Sequence, residues 1–396
     1  MVSQQMLALG KQSSKIRAIS EYGTKRKQEI GADNVFDFSL GNPSIPAPEA
    51  VRETMIRLLQ ETDSTKLHGY TSSAGDPAVR NTIAAHLRQT HNSPAEGSLI
   101  YMTCGAAAGL AIALHALLNP GEEVVVPAPF FPEYRVFAEK AGGTLVPVSC
   151  PQPAFQLDLA AIKAAITPNT KIVLLNSPNN PTGAVYSRES LTALAKILKE
   201  KEAEYQTEIY LLADEPYREL CYSNTPVTWL PKLYDRTLVC YSYSKSLSLP
   251  GERIGYLLVN PDCPNAPDVF AAVCGAGRSL GYVCAPSLWQ ALVANIQGIT
   301  CDIDQYRENR DLLTQALVEM GYTVTPPDGA FYLFVKSPEP DAEAFCERAK
   351  KYELLLVPSD SFGVPGFARI AYCVSRDTIT NSLPAFRALM EEYQHA

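Results

Sequence analysis

Residues 238–245 read Leu238-Val239-Cys240-Tyr241-Ser242-Tyr243-Ser244-Lys245, and Pro250-Gly251-Glu252-Arg253-Ile254-Gly255 follows four residues later. A short apolar run that stops in small polar residues is the pattern of a strand end. Open α/β sheets bind their ligands at the carboxyl ends of strands, so the lysine sits where chemistry is expected. The chain repeats the pattern. Residues 172–175 close in Asn176-Ser177-Pro178-Asn179-Asn180-Pro181-Thr182-Gly183, and residues 209–212 close in Ala213-Asp214-Glu215-Pro216-Tyr217. With 124–126 and 254–259 they make five short apolar runs bounded by Pro, Gly, Asn or Asp. Between them, 106–118 and 187–201 have helical composition, and Asn119-Pro120-Gly121 marks the end of the first. This alternation predicts an α/β fold built on a large, doubly wound, mostly parallel sheet.

Outward from that sheet the character changes. Residues 302–320 form a charged helical stretch, 329–334 a strand, and a last helix begins at Asp377, which together predict a smaller α+β domain. The opening segment, whose Phe36-Asp37-Phe38 run ends in a Gly-Asn-Pro turn, is expected to join it. The expected domains are 46–295 for the large unit, and 1–45 with 296–396 for the small one. A chain of 396 residues suits two such units.

Charge narrows the partners. A net charge of −8 argues against nucleic acid and anionic membrane surfaces, which need a basic patch. Small molecules are the expected ligands. Ten cysteines without a CxxC pair leave zinc, iron–sulfur and thioredoxin-type readings without their ligand spacing, so no metal is expected and the thiols read as reduced. Residues 1–17 contain neither a signal-peptide core nor a membrane span, and a cytoplasmic location is the expectation.

The three strand-end motifs, in this order, resemble the class I aminotransferases, the aspartate-aminotransferase-like branch (fold type I) of the pyridoxal-phosphate (PLP) enzymes. The resemblance extends through Gly41-Asn42-Pro43, Tyr70 with Gly75, Cys104-Gly105-Ala106-Ala107, Asn119-Pro120-Gly121, Pro129-Phe130-Phe131-Pro132, Gly329-Ala330-Phe331-Tyr332 and Arg369-Ile370-Ala371. It implies a homodimer that moves an amino group from an L-amino acid to a 2-oxo acid. Lys245 would carry PLP as an aldimine and shuttle the proton at Cα, since a desolvated amine is a nucleophile. Asp214 would face the pyridine nitrogen and keep it protonated. Tyr217 and Asn180 would bond the ring oxygen, and Phe131 would stack on the ring. Gly105, Ala106 and Ala107 would offer helix N-terminal amides to the phosphate, completed by Ser242, Arg253 and the neighbouring subunit's Tyr70. Arg369 would grip the substrate carboxylate, assisted by Gly41 and Asn180.

Each residue taken alone has a plainer reading. Asp214 is then a helix cap, Asn180 a turn residue, Phe131 a core ring, Tyr70 a packing residue and Arg369 a strand-edge arginine paired internally. Two features depart from the commonest family pattern. Cys104 and Ala107 leave phosphate binding there to the backbone, and Glu252 is placed to offset the charge of Arg253. Arg278 lies near a region that supplies a second cation to dicarboxylate-specific members, which favours aspartate or glutamate. Tyr22, Phe331 and Tyr332 favour an aromatic donor instead. The competing reaction on the same scaffold is β-elimination from a cysteine conjugate, a C–S lyase. A PLP-binding regulator would need a basic helix-turn-helix ahead of the large domain, and residues 1–45 carry no such motif.

Overall fold

The computed structural model describes residues 2–11, 14–223 and 227–395. A short strand, β1 (Phe36–Asp37), precedes seven strands of one sheet. These are β2 (Ile100–Thr103), β3 (Glu123–Ala128), β4 (Thr144–Ser149), β5 (Thr170–Asn176), β6 (Tyr210–Asp214), β7 (Thr237–Ser242) and β8 (Gly255–Val259). Their order is β2-β8-β7-β6-β5-β3-β4, so β6 lies at the centre. Every pairing is parallel except the two made by β8, which runs against both β2 and β7.

Both faces are covered, which is why the runs are apolar throughout instead of alternating. Val173, Leu175, Leu211 and Val239 join the core beneath helices Pro77–His91, Arg188–Tyr205 and Ser287–Asn295. Their neighbours Ile172, Leu174, Leu212 and Leu238 point the other way, into the core under Ala106–Leu117 and Ala266–Ser279. The five expected runs all fall in this sheet. Sequence reading missed β2 and β4. β2 is a four-residue strand, and β4 carries Pro147, which an edge strand tolerates because one side of its ladder is unpaired.

The second sheet is antiparallel, in the order β12 (Val357–Pro358), β13 (Phe367–Ala371), β10 (Tyr332–Lys336), β9 (Thr323–Val324). Helices Ile303–Glu319 and Arg376–Gln394 share its core. β1 pairs in parallel with β11 (Leu354–Leu355), so the opening segment is tied to this second sheet's neighbourhood. The strand expected at 329–334 begins only at Tyr332. Ala330 sits at φ 57, and its amide and that of Gly329 bond to Leu220 and Gly183, so this stretch is a bent crossing before the strand. No helix among the described residues is long and apolar enough to cross a membrane. No disulfide links any of the ten cysteines among the described residues.

Candidate active site

Sheet register builds the site. Asn176 is opposite Asp214 across β5 and β6, and Asp214 is opposite Cys240 across β6 and β7. Ser242 and Thr103 are both level with Gly255 at the start of β8. The turns after β2, β5, β6 and β7 therefore open on one edge of the sheet, and with them Gly105, Asn180, Tyr217, Lys245 and Arg253.

Lys245 follows Ser242 in a single helical turn, Tyr243–Ser246, capped by the Ser242 Oγ accepting from the Ser244 amide. The Ser242 hydroxyl also donates to Ser244 Oγ at 2.6 Å. The Lys245 ammonium donates to the Gly41 carbonyl at 2.6 Å and lies 5.4 Å from the centroid of the Phe331 ring. Burial, helped by Arg253 and Arg369, brings this amine down to about 8. A lysine in that range is a competent nucleophile and proton carrier near neutrality.

Asp214 ends β6 and is 5 % exposed. Its Oδ2 accepts from the Tyr134 hydroxyl at 2.5 Å, whereas its Oδ1 is buried with no partner among the described residues. Burial pushes the carboxyl up to about 7 against the stabilising Tyr134 bond, with Glu215 adding to the rise. A buried acceptor of this kind calls for a donor, best of all a protonated ring nitrogen. Its neighbours are fixed as well. Asn176 Nδ2 donates to the Asp214 carbonyl at 2.8 Å, and Asn176 Oδ1 receives the Asn180 amide at 2.7 Å.

Arg369, in the middle of β13, is 1 % exposed. Its guanidinium donates to Asn180 Oδ1 at 3.1 Å and to the Ser39 carbonyl at 2.5 Å, and stands over the Tyr332 ring. No carboxylate among the described residues pairs with it, and its Nε has no partner. Its internal partners are an amide oxygen and a backbone carbonyl, which bond the guanidinium without neutralising its charge. A buried, unneutralised guanidinium is a receptor for an anion. Tyr217 is buried beside it, its hydroxyl 2.9 Å from that of Tyr332.

Gly105, at φ 83, precedes helix Ala106–Leu117, whose first turn has no side-chain cap. The amides of Ala106 and Ala107 are thus unclaimed by a capping side chain. A Cβ at Gly105 would lie 2.8 Å from the Arg253 guanidinium, which donates to the carbonyls of Pro250 and Cys104. Glu252 makes no ion pair with Arg253 among the described residues; Arg253, at φ 51, instead folds its guanidinium back onto the Pro250 carbonyl at 2.9 Å. Amides at a helix start beside an open guanidinium suit a dianion.

Phe131 is half-buried and meets Tyr134 edge-on at 5.6 Å. Tyr70 is 99 % exposed and is covered by none of the described residues. Next to its segment, Cys284 bonds the carbonyls of Ser73 and Thr71, which puts Tyr282 and the exposed Arg278 helix end on the same side. Tyr22 is elsewhere, with the Lys350 ammonium over its ring, and is removed from the expected aromatic set.

Sequence reading did not single out Tyr134, Asn176 or Ser39, and it took Tyr332 only as an aromatic neighbour. Tyr134 stands three residues past Phe131, two beyond the end of the quoted Pro129–Pro132 motif, and nothing local marks its bond to Asp214. Behind the site, Glu215 and Arg218 alternate with Asp214 and Tyr217 in one turn. The Arg218 guanidinium pairs with Glu215 at 2.6 Å, bonds Tyr256, and lies between the rings of Trp229 and Tyr241.

The family model described as Aminotransferase class I and II matches residues 33–386. The aspartate aminotransferase of Thermotoga maritima is 30% identical over 380 residues, covering 93% of this chain and 97% of the relative. The probable aspartate/prephenate aminotransferase of Aquifex aeolicus is 30% identical, over 93% and 95%. Among solved structures, an amino transferase from Eubacterium rectale superposes with a TM-score of 0.97 at 50% identity, covering 99% of each chain. The Thermus thermophilus aspartate aminotransferase with maleate gives 0.85 at 28% identity, over 98% of this chain and 99% of that one.

Proposed function

The chain belongs to the class I and II aminotransferases, and on that premise we propose that it uses PLP held at Lys245 to exchange an amino group between an L-amino acid and a 2-oxo acid. The residues fit that cofactor. The partnerless Asp214 Oδ1 matches a pyridinium N–H, and the amides of Ala106 and Ala107 with Ser242 and Arg253 match a phosphate. Tyr217 and Asn180 would hold the ring oxygen, and Phe131 a face of the ring. When bound, PLP supplies an electron sink for the charge left at the substrate Cα.

The chain's own groups do the rest. Lys245 Nζ is the nucleophile that attaches the cofactor and the base that then carries the proton at Cα, a role its lowered basicity permits. Arg369, with Asn180 and the Gly41 backbone, holds the substrate α-carboxylate and so fixes which Cα bond faces Lys245. Asp214 stays anionic beside its cationic partner, with Tyr134 securing the other oxygen. Tyr70 reaches a second copy's phosphate site, so the working unit is a homodimer. The exposed Arg278 on that face serves a side-chain carboxylate, in line with the aspartate donors named in the relatives. The Phe331 and Tyr332 rings make aromatic donors the second choice.

The observation carrying this reading is the buried Asp214 Oδ1 without a partner on the same sheet edge as a low-basicity lysine. The test is the absorbance of PLP-loaded protein before and after single amino acids are added without any 2-oxo acid. Loss of the visible band identifies the donor and transamination. Accumulating pyruvate and ammonia with the band retained selects the C–S lyase reading, and no band at all defeats the assignment of Lys245.

A further inference from the structure

We propose that Tyr332 is a positioning residue for this reaction, its hydroxyl directing the Tyr217 proton and its ring holding the Arg369 guanidinium in place. The inference rests on the reading of the site as an aminotransferase centre.

Tyr332 opens β10 and is buried. Across the antiparallel pair its opposite residue is Ala371, whose small side chain leaves the phenol room, and Arg369 is its diagonal neighbour on the same face. The guanidinium carbon accordingly sits 4.5 Å from the ring centroid, a cation–π contact in a dry setting. The phenol then leaves its own sheet and meets the hydroxyl of Tyr217, in the turn after β6, at 2.9 Å. It also fills the space beside Gly41, where a Cβ would come within 2.0 Å of the hydroxyl oxygen. Gly41 is thus glycine because Tyr332 is there, and its carbonyl receives Lys245.

One side chain therefore touches the holder of the substrate carboxylate, the phenol beside the cofactor's ring oxygen and the backbone that anchors the lysine. At 2.9 Å either hydroxyl can be the donor. Tyr332 is faced by Arg369, the Cys373 thiol and Tyr217, and Tyr217 by Arg369, Asp214 and Tyr332. A phenol has one proton to give, so a Tyr217 that donates to the cofactor's ring oxygen is left with only its lone pairs for Tyr332, which must then be the donor. Donation from Tyr332 makes that onward bond stronger.

The experiment compares wild type, Y332F, Y332L, Y217F and the Y332F/Y217F pair, all PLP-loaded. Reading the pH midpoint of the bound-cofactor absorbance, we expect Y332F to raise it by roughly half a unit to one unit, as one neutral hydrogen bond is lost. The pair should show the Y217F midpoint and no more, because without Tyr217 the Tyr332 hydroxyl has nothing to relay. Y332F should lower kcat about tenfold with KM nearly unchanged, whereas Y332L, which uncovers Arg369, should also raise KM about tenfold. A Y332F midpoint equal to wild type, or shifts that add in the pair, would overturn the proposal. Absence of the band in wild type would instead overturn the function itself. Should Y332F fail to fold, G41A displaces the phenol from a chain that keeps it, and the midpoint must rise there too.

Discussion

At the scale of single residues, two carry the heaviest demands. Lys245→Ala removes the nucleophile and leaves its helical turn intact. It should abolish the cofactor band and turnover while the melting temperature of the cofactor-free protein stays within a few degrees. Asp214 gives the protein a pH signature. Its carboxyl is raised from 3.8 to about 7 in the folded chain, so the folded state holds that proton more tightly than the unfolded state. Its contribution is fully present below pH 4 and is lost as pH rises toward 7, by an amount on the order of 4 kcal/mol at most. In melting experiments on cofactor-free protein, Asp214→Asn should flatten this decline. A decline of the same slope in Asp214→Asn would assign it to another group. Tyr134→Phe strips one donor from the same carboxylate, and cofactor affinity should fall about 10- to 100-fold, read by equilibrium dialysis. Asp214, Tyr217 and Lys245 were legible because strand ends are punctuated by turn formers. Tyr134 and Ser39 were not, since a bond made across 80 residues and a backbone carbonyl both lack any local pattern.

At the scale of elements, the meeting of a helix start with a guanidinium decides how a dianion is held. Gly105 needs its positive φ, and a methyl group there would also press on Arg253. Gly105→Ala is expected to destabilise the chain by about 1–2 kcal/mol through backbone strain, and to weaken inorganic phosphate binding to the cofactor-free protein at least tenfold. Phosphate affinity equal to wild type would mean this helix start does not receive the anion. Apolar runs buried on both faces announce themselves, so β3, β5, β6, β7 and β8 were readable from the sequence. Direction was not, and the antiparallel course of β8 follows from the Pro250–Glu252 turn that sends the chain back along β7. At the edge, β4 buries only Leu145 and Val148 and so lacks the continuous apolar run that stands out.

At the scale of the whole molecule, the proposed homodimer has a direct test in Tyr70, which is 99 % exposed. Mixing Tyr70→Ala with Lys245→Ala subunits should restore one complete site in each mixed dimer, about a quarter of wild-type sites after full exchange. Activity that stays at the level of the separate variants would show that Tyr70 serves its own chain. The second sheet's place in the chain was legible from the change of character near residue 300, while the tie between the opening segment and that sheet's neighbourhood rests on a two-residue strand. That tie has a consequence for how the protein is made. The large sheet is complete once Val259 has left the ribosome, but Phe36 must wait about 300 residues for Leu354, and Asn180 waits 189 residues for Arg369. At ordinary translation rates that delay is on the order of tens of seconds. The nascent chain therefore passes through a long adolescence in which its scaffold is built and its chemistry is still impossible, and chaperones would have a long window in which to meet it.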